Sequence, residues 1–160
     1  MKAMVIYDSE FGNTELVAKS IGTALGTLGA VQVKRVGEVK IEDLNGFDLI
    51  IVGSPTQRFR PTPVTKDFLK RIPSNGLQGI RAAAFDTRLT DKEFETTRIG
   101  SFFVRIFGYA AQPIADELTK KGTELVAAPE GFYVQGVEGP LVEGELERAA
   151  DWAEQITHMA

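Results

Sequence analysis

Three short stretches combine residue types and spacing that could do chemistry. The first is Tyr7-Asp8-Ser9-Glu10-Phe11-Gly12-Asn13-Thr14-Glu15, directly after the apolar run Ala3-Met4-Val5-Ile6 and directly before an amphipathic helical pattern. A strand-to-helix turn of this kind suits an anion, because a helix start offers unpaired N–H groups at the positive end of its dipole. Gly12 lets the chain curl so that those groups converge, and Ser9, Asn13 and Thr14 can add side-chain donors. No Lys or Arg lies in the stretch, so a phosphate there would be held by neutral donors. An ordinary capped turn, with Ser9 or Asn13 closing the helix start, fits the same residues. The second stretch, 54–63, is stiffened by Pro55, Pro61 and Pro63, as suits a surface that must hold a shape. The third begins at Asp86, where another apolar run ends.

What is missing narrows the chemistry. There is no cysteine, which excludes disulfides, a thiolate nucleophile and cysteine-based metal sites. The single histidine, His158, lies at the far C-terminal end and reads as a solvated residue, not a base. After the first strand there is neither Gly-x-Gly-x-x-Gly nor the lysine-bearing Walker pattern, which argues against NAD and nucleoside triphosphates. A mononucleotide fits better, since one neutral phosphate site and two flanking loops can hold one phosphate and one ring system.

The elements that must position these loops follow from hydrophobic periodicity. Leu16, Val17, Ser20, Ile21, Ala24, Leu25 and Leu28 recur at helical steps, predicting a helix that Gly29 ends. The alternation Val31-Gln32-Val33-Lys34-Arg35-Val36 predicts an edge strand. Phe47-Asp48-Leu49-Ile50-Ile51-Val52-Gly53 is an apolar run expected of a central parallel strand covered on both faces. A helix through Val64, Phe68, Leu69 and Ile72 follows, then a strand over 80–86, a helix over 110–121 and a last helix over 141–156. The pieces 123–127 and 131–134, separated by Pro129, are expected to form one bent last strand. The connection 87–108 is too long for an ordinary link, and its apolar second half predicts a short helix or lid. Alternating strands and helices imply a parallel sheet with right-handed crossovers. Ligands bind such sheets beyond the carboxyl ends of the strands, where the three stretches fall.

Length and composition set the outer bounds. The 160 residues are expected to form a single domain over 1–160, and 43% hydrophobic with 25% charged residues is the balance of a globular protein. No run approaches the roughly 18 apolar residues of a membrane span, and no signal-peptide pattern precedes the first strand, so the cytoplasm is the expected compartment. A net charge of −4 argues against nucleic-acid binding.

Together, Ser9-Glu10-Phe11-Gly12-Asn13-Thr14, the strand ending Val52-Gly53-Ser54-Pro55-Thr56 and Phe85-Asp86-Thr87 resemble the flavodoxin family, in element order over essentially the whole chain. The resemblance implies an α/β three-layer flavodoxin-like sandwich: a five-stranded parallel sheet of order 2-1-3-4-5 with helices on both faces, binding FMN. It implies that Ser9, Phe11, Gly12, Asn13 and Thr14 wrap the phosphate. Pro55, Thr56, Gln57, Arg58 and Phe59 would flank the isoalloxazine on one side, with Asp86, Thr87 and Arg88 on the other. Two departures stand out: Phe11 replaces a frequent hydroxyl residue, and only Phe59 stands where many members place Trp or Tyr. Phe59 is placed to stack on the ring, whereas Tyr109, Phe102 and Phe103 are expected in the core, with closure of the site from the long connection as the alternative. Arg58, Arg60 and Arg88 are unusually cationic for this region and are expected to raise the potential of the second reduction step. The expected function is electron transfer between transient redox partner proteins, with monomer favoured. An FMN-dependent quinone or small-molecule reductase and a cofactor-free interaction domain are the alternatives.

Overall fold

The structure is a computed structural model that describes residues 1–90 and 108–159. In chain order it contains β1 (Lys2–Tyr7), α1 (Asn13–Gly26), β2 (Ala30–Arg35), β3 (Leu49–Pro55), α2 (Pro63–Arg71), β4 (Arg81–Leu89), α3 (Ala111–Lys120), β5 (Glu124–Leu125), β6 (Glu130–Val134) and α4 (Glu145–His158). All strand pairings are parallel, in the order β2-β1-β3-β4, with β5 and β6 both pairing to β4. The sheet is therefore the expected 2-1-3-4-5, its last strand divided in two around Pro129.

Strand periodicity sorts the core into two layers. On β1, Ala3, Val5 and Tyr7 face one side, where they pack with Val17, Ile21 and Leu25 of α1 and with Trp152 and Ile156 of α4. Met4 and Ile6 face the other, with Phe68 and Leu69 of α2 and Ile114 and Leu118 of α3. Residues Leu49 to Ser54 of β3 are buried throughout, as its continuous apolar run requires of a strand covered on both faces. Behind the ends of β4 and β6, Phe85, Phe132 and Trp152 meet edge-to-face with ring centroids 6.1–6.4 Å apart.

Three expectations shift. Leu16, Leu28 and Val64 are about half exposed: Leu16 and Val64 lie at the margins of stripes whose centres are Val17–Ile21–Leu25 and Phe68–Leu69, and Leu28 lies beyond the end of α1. Helix α1 ends at Gly26, before Gly29. Strand β4 continues to Leu89, since Ser54 and Pro55 of β3 still pair with Asp86 and Thr87. The helix or lid expected in the second half of 87–108, with Phe102 and Phe103, lies outside the described residues.

Candidate functional site

The strand order reverses between β1 and β3, and the first two stretches emerge from their carboxyl ends. At the first, Gly12 takes φ 93, a left-handed conformation that costs other residues roughly 1–2 kcal/mol. The turn delivers the N-terminus of α1 with its side chains already engaged. Ser9 Oγ accepts from the Gly12 N–H (3.1 Å) and, more loosely, from the Glu15 N–H (3.4 Å). Thr14, buried, shares a 2.8 Å hydroxyl bond with Thr87 of β4. The Asn13 amide donates to the Glu138 carbonyl (3.1 Å), closing the 135–140 loop onto the helix start. The N–H groups of Glu10, Phe11, Asn13 and Thr14 have no acceptor among the described residues. Neutral backbone donors are thus left for an anion, while the Ser9, Asn13 and Thr14 side chains brace the loop more than the sequence implied.

A cation does approach from outside the loop. Arg35, at the end of β2, donates to the Ser9 carbonyl and faces Asp8 (Nε to Oδ1, 3.7 Å). Asp8 also accepts from the Ser9 N–H at 2.9 Å and from the Thr62 hydroxyl at 2.6 Å. Its charge offsets that of Arg35, and Thr62 in turn caps α2 through the Thr65 N–H.

Beside this loop a cleft of about 100 Å³ is lined by Ser9, Phe11, Asn13, Thr14, Pro55, Thr56, Gln57, Thr87 and Arg88, joined by Glu10, Leu89, Val134 and Val137. An adjoining cleft of about 310 Å³ shares Thr56, Gln57 and Arg88 and adds Arg58, Phe59 and Tyr109. Of the residues expected in the site, eleven therefore line these two clefts, and Gly12 shapes the turn. Asp86 is the exception. It is fully buried, and takes a bidentate bond from Arg88 (2.7 and 2.8 Å) and one from the Ala111 N–H (2.9 Å). Burial pushes its carboxyl up, against the opposing pull of Arg88 and that N–H.

Arg88 is accordingly a paired cation, its charge matched by Asp86 near the end of β4. Its guanidinium lies 3.7 Å from the Tyr109 ring centre. It also lies against Gly131, where an added Cβ would fall 2.2 Å from it, so only glycine leaves it room. Tyr109 is a cleft wall where a core position was expected, and the second aromatic beside Phe59. Closing the site was the less favoured of the two expectations for Tyr109; the continuation of β4 hid Leu89, and Val134 and Val137 carried no chemical signal at all.

The segment carrying Arg58 and Phe59 is a tight turn. Gln57 and Arg60 exchange two backbone bonds (2.8 and 2.9 Å), while Arg58 and Phe59 take φ 48 and 67, the φ signs of a type I′ turn. Neither residue suits that conformation, for which Asn-Gly is the favoured pair. The Gln57 amide additionally donates to the Glu10 carboxylate, linking this turn to the phosphate-side loop. Between β6 and α4, Glu145 accepts from the Tyr133 N–H (2.7 Å) and twice from Arg148 (2.9 and 2.7 Å). Burial raises its pKa, but those bonds outweigh it and hold the carboxyl below the ordinary glutamate range.

A parallel sheet with a donor-lined helix start and a cleft between the strand ends defines a mononucleotide-binding α/β protein. Matching is to the flavodoxin family model over residues 5–156, and the chain belongs to that family, whose cofactor is FMN. It is 28% identical to an NAD(P)H dehydrogenase (quinone) of Caulobacter vibrioides (strain NA1000 / CB15N) over an alignment of 154 positions, covering 74% of this chain and 77% of that one. It is 27% identical to a flavodoxin of Nitratidesulfovibrio vulgaris (strain DSM 19637 / Miyazaki F) over 124 positions, covering 74% and 84%. Oxidised Flavodoxin 2 from Bacillus cereus has the same fold, with TM-score 0.78 at 21% identity and full coverage of both chains. No helix among the described residues is long and apolar enough to cross a membrane, and no metal-binding cluster occurs among them.

Proposed function

We propose that this protein is an FMN electron carrier passing electrons between redox partner proteins. The observation that carries the reading is the set of unpartnered N–H groups at the start of α1, opening beside the same clefts that the ring-flanking residues line. The phosphate would sit against the N–H groups of Glu10, Phe11, Asn13 and Thr14. In this arrangement Phe11 still donates through its backbone, so the missing hydroxyl weakens the loop less than its side chain suggests. The ring would lie between 55–59 and the Thr87–Arg88 end of β4. Bound FMN supplies the redox chemistry, and the protein tunes it through charge and hydrogen bonds near the ring. Here Asp86 holds Arg88 in place, Thr87 locks β4 to the phosphate loop, and Phe59 and Tyr109 exclude water.

The test is selective binding. Ser9→Ala with Thr14→Ala loosens the loop and should weaken FMN at least about tenfold more than riboflavin, which is about 1.4 kcal/mol. Equal losses for the two ligands, followed by fluorescence quenching, would place the phosphate elsewhere. A protein that neither is yellow nor quenches FMN would leave a cofactor-free interaction domain.

A quinone reductase is the second reading, favoured by the 310 Å³ cleft between Phe59 and Tyr109 and by the relatives named for that activity. NAD(P)H and a quinone turning over without an added reductase would establish it over the carrier.

A further inference from the structure

The chain is acidic overall, yet the rim beyond the 57–60 turn is not. Arg58, Arg60 and Lys70 are exposed and Lys66 is half-buried, and none of the four takes part in an ion pair among the described residues. They border two grooves that flank the turn. One, about 540 Å³, runs between the turn and the start of α2; the other, about 340 Å³, lies between α2 and α3. With Lys120, five cations line these grooves against three carboxylates, Glu10, Asp116 and Glu117, while the whole chain carries −4. Each carboxylate is already engaged: Glu10 by Gln57, Asp116 by Gln112 and Glu117 by Lys120. Glu117 pairs with Lys120, and the neutral amides on Glu10 and Asp116 leave those charges in place, so cations exceed carboxylates by two on a face that a left-handed turn holds out beside the proposed ring site.

We infer that this turn and its two grooves are the docking face for an acidic protein partner. A projecting turn between two shallow grooves offers a protein surface relief on both sides. Unpaired cations give it the charge that steers an oppositely charged partner to the site, although the net charge alone would repel one. Electron exchange through the face rests on the FMN reading; the charge complementarity does not.

Two measurements on the full chain test the inference. Poly-L-glutamate added to isotope-labelled protein should shift the amide signals of 57–70 first, and Arg60→Glu/Lys66→Glu/Lys70→Glu should abolish those shifts. Shifts confined to other faces overturn the inference, as does tripolyphosphate saturating this face more tightly than the peptide, which would mark a small-anion site. In the second, FMN-loaded protein is reduced and each molecule of ferricyanide takes one electron from it to give ferrocyanide. The rate should fall several-fold as ionic strength rises from about 0.01 to 0.3 M, because a local positive field attracts the anionic oxidant and salt screens it. In the triple variant the slope should reverse. A wild-type rate that rises with salt would mean that the net charge governs approach and would overturn the inference. Colourless protein that still binds polyglutamate at 57–70 would instead refute the FMN reading alone.

Discussion

The two ends of the cleft are built in opposite ways. The 8–14 loop turns on one glycine, and its side chains already have partners, Ser9 and Asn13 on backbone, Thr14 on Thr87, Asp8 on Thr62 and Glu10 on Gln57, so its donors are fixed before any ligand arrives. The 57–60 turn puts an arginine and a phenylalanine into left-handed conformations, at roughly 1–2 kcal/mol each, and two cross-turn bonds hold them there. One end is a frame made by the architecture; the other is a strained mount for particular side chains. The difference is one of kind: the frame is the sort of donor-lined turn that suits a phosphate, whereas Arg58 and Phe59 stand against local backbone preference.

The comparison can be broken most severely behind the ring. Asp86→Ala removes three hydrogen bonds at once and leaves Arg88 without its counter-ion, which should cost about 3 kcal/mol in urea unfolding. A loss under about 1 kcal/mol would mean that Arg88 escapes to solvent and that the pair is no anchor. A smaller effect is expected where α4 meets β6. Glu145 has a lowered pKa in the fold, so its contribution is present above the ordinary glutamate range and is lost as pH falls through the folded value. Glu145→Gln should therefore destabilise by roughly 1–3 kcal/mol at neutral pH, with the gap to wild type closing on acidification. A gap that stays constant with pH would assign the loss to packing. The smallest effect sharpens the contrast itself. Arg58→Asn with Phe59→Gly supplies the residues a type I′ turn favours and should stabilise the protein by about 1 kcal/mol while weakening FMN. Unchanged stability would show that the turn carries no strain.

The fold was legible because its strands differ in kind. The unbroken apolar run of β3, the alternation of β2 and the helical stripes around Ile21 and Phe68 report degrees of burial that imply a parallel α/β sheet, while its order 2-1-3-4-5 came from the family resemblance. The site was legible where backbone geometry follows from residue type, as at Gly12 and the helix start. It was obscure where partners lie far apart in sequence. Nothing near Asp8 announces Arg35, and Asp86 looks like a site residue until Arg88 and the Ala111 N–H are seen to enclose it. The I′ turn was hidden too, because Arg-Phe carries no turn signal and the neighbouring prolines suggested stiffness of another kind.

At the far edge of the sheet, β5 stops at Leu125 and β6 begins at Glu130, with Pro129 in the gap. An uninterrupted edge strand is a template on which a foreign strand can add, the first step toward fibres. Here Val126 still donates to the Ala82 carbonyl, and the pairing to β4 lapses over 127–129, where a proline has no N–H to offer. The division of the last strand thus denies a stray chain a continuous rail along this edge at residues 127–129.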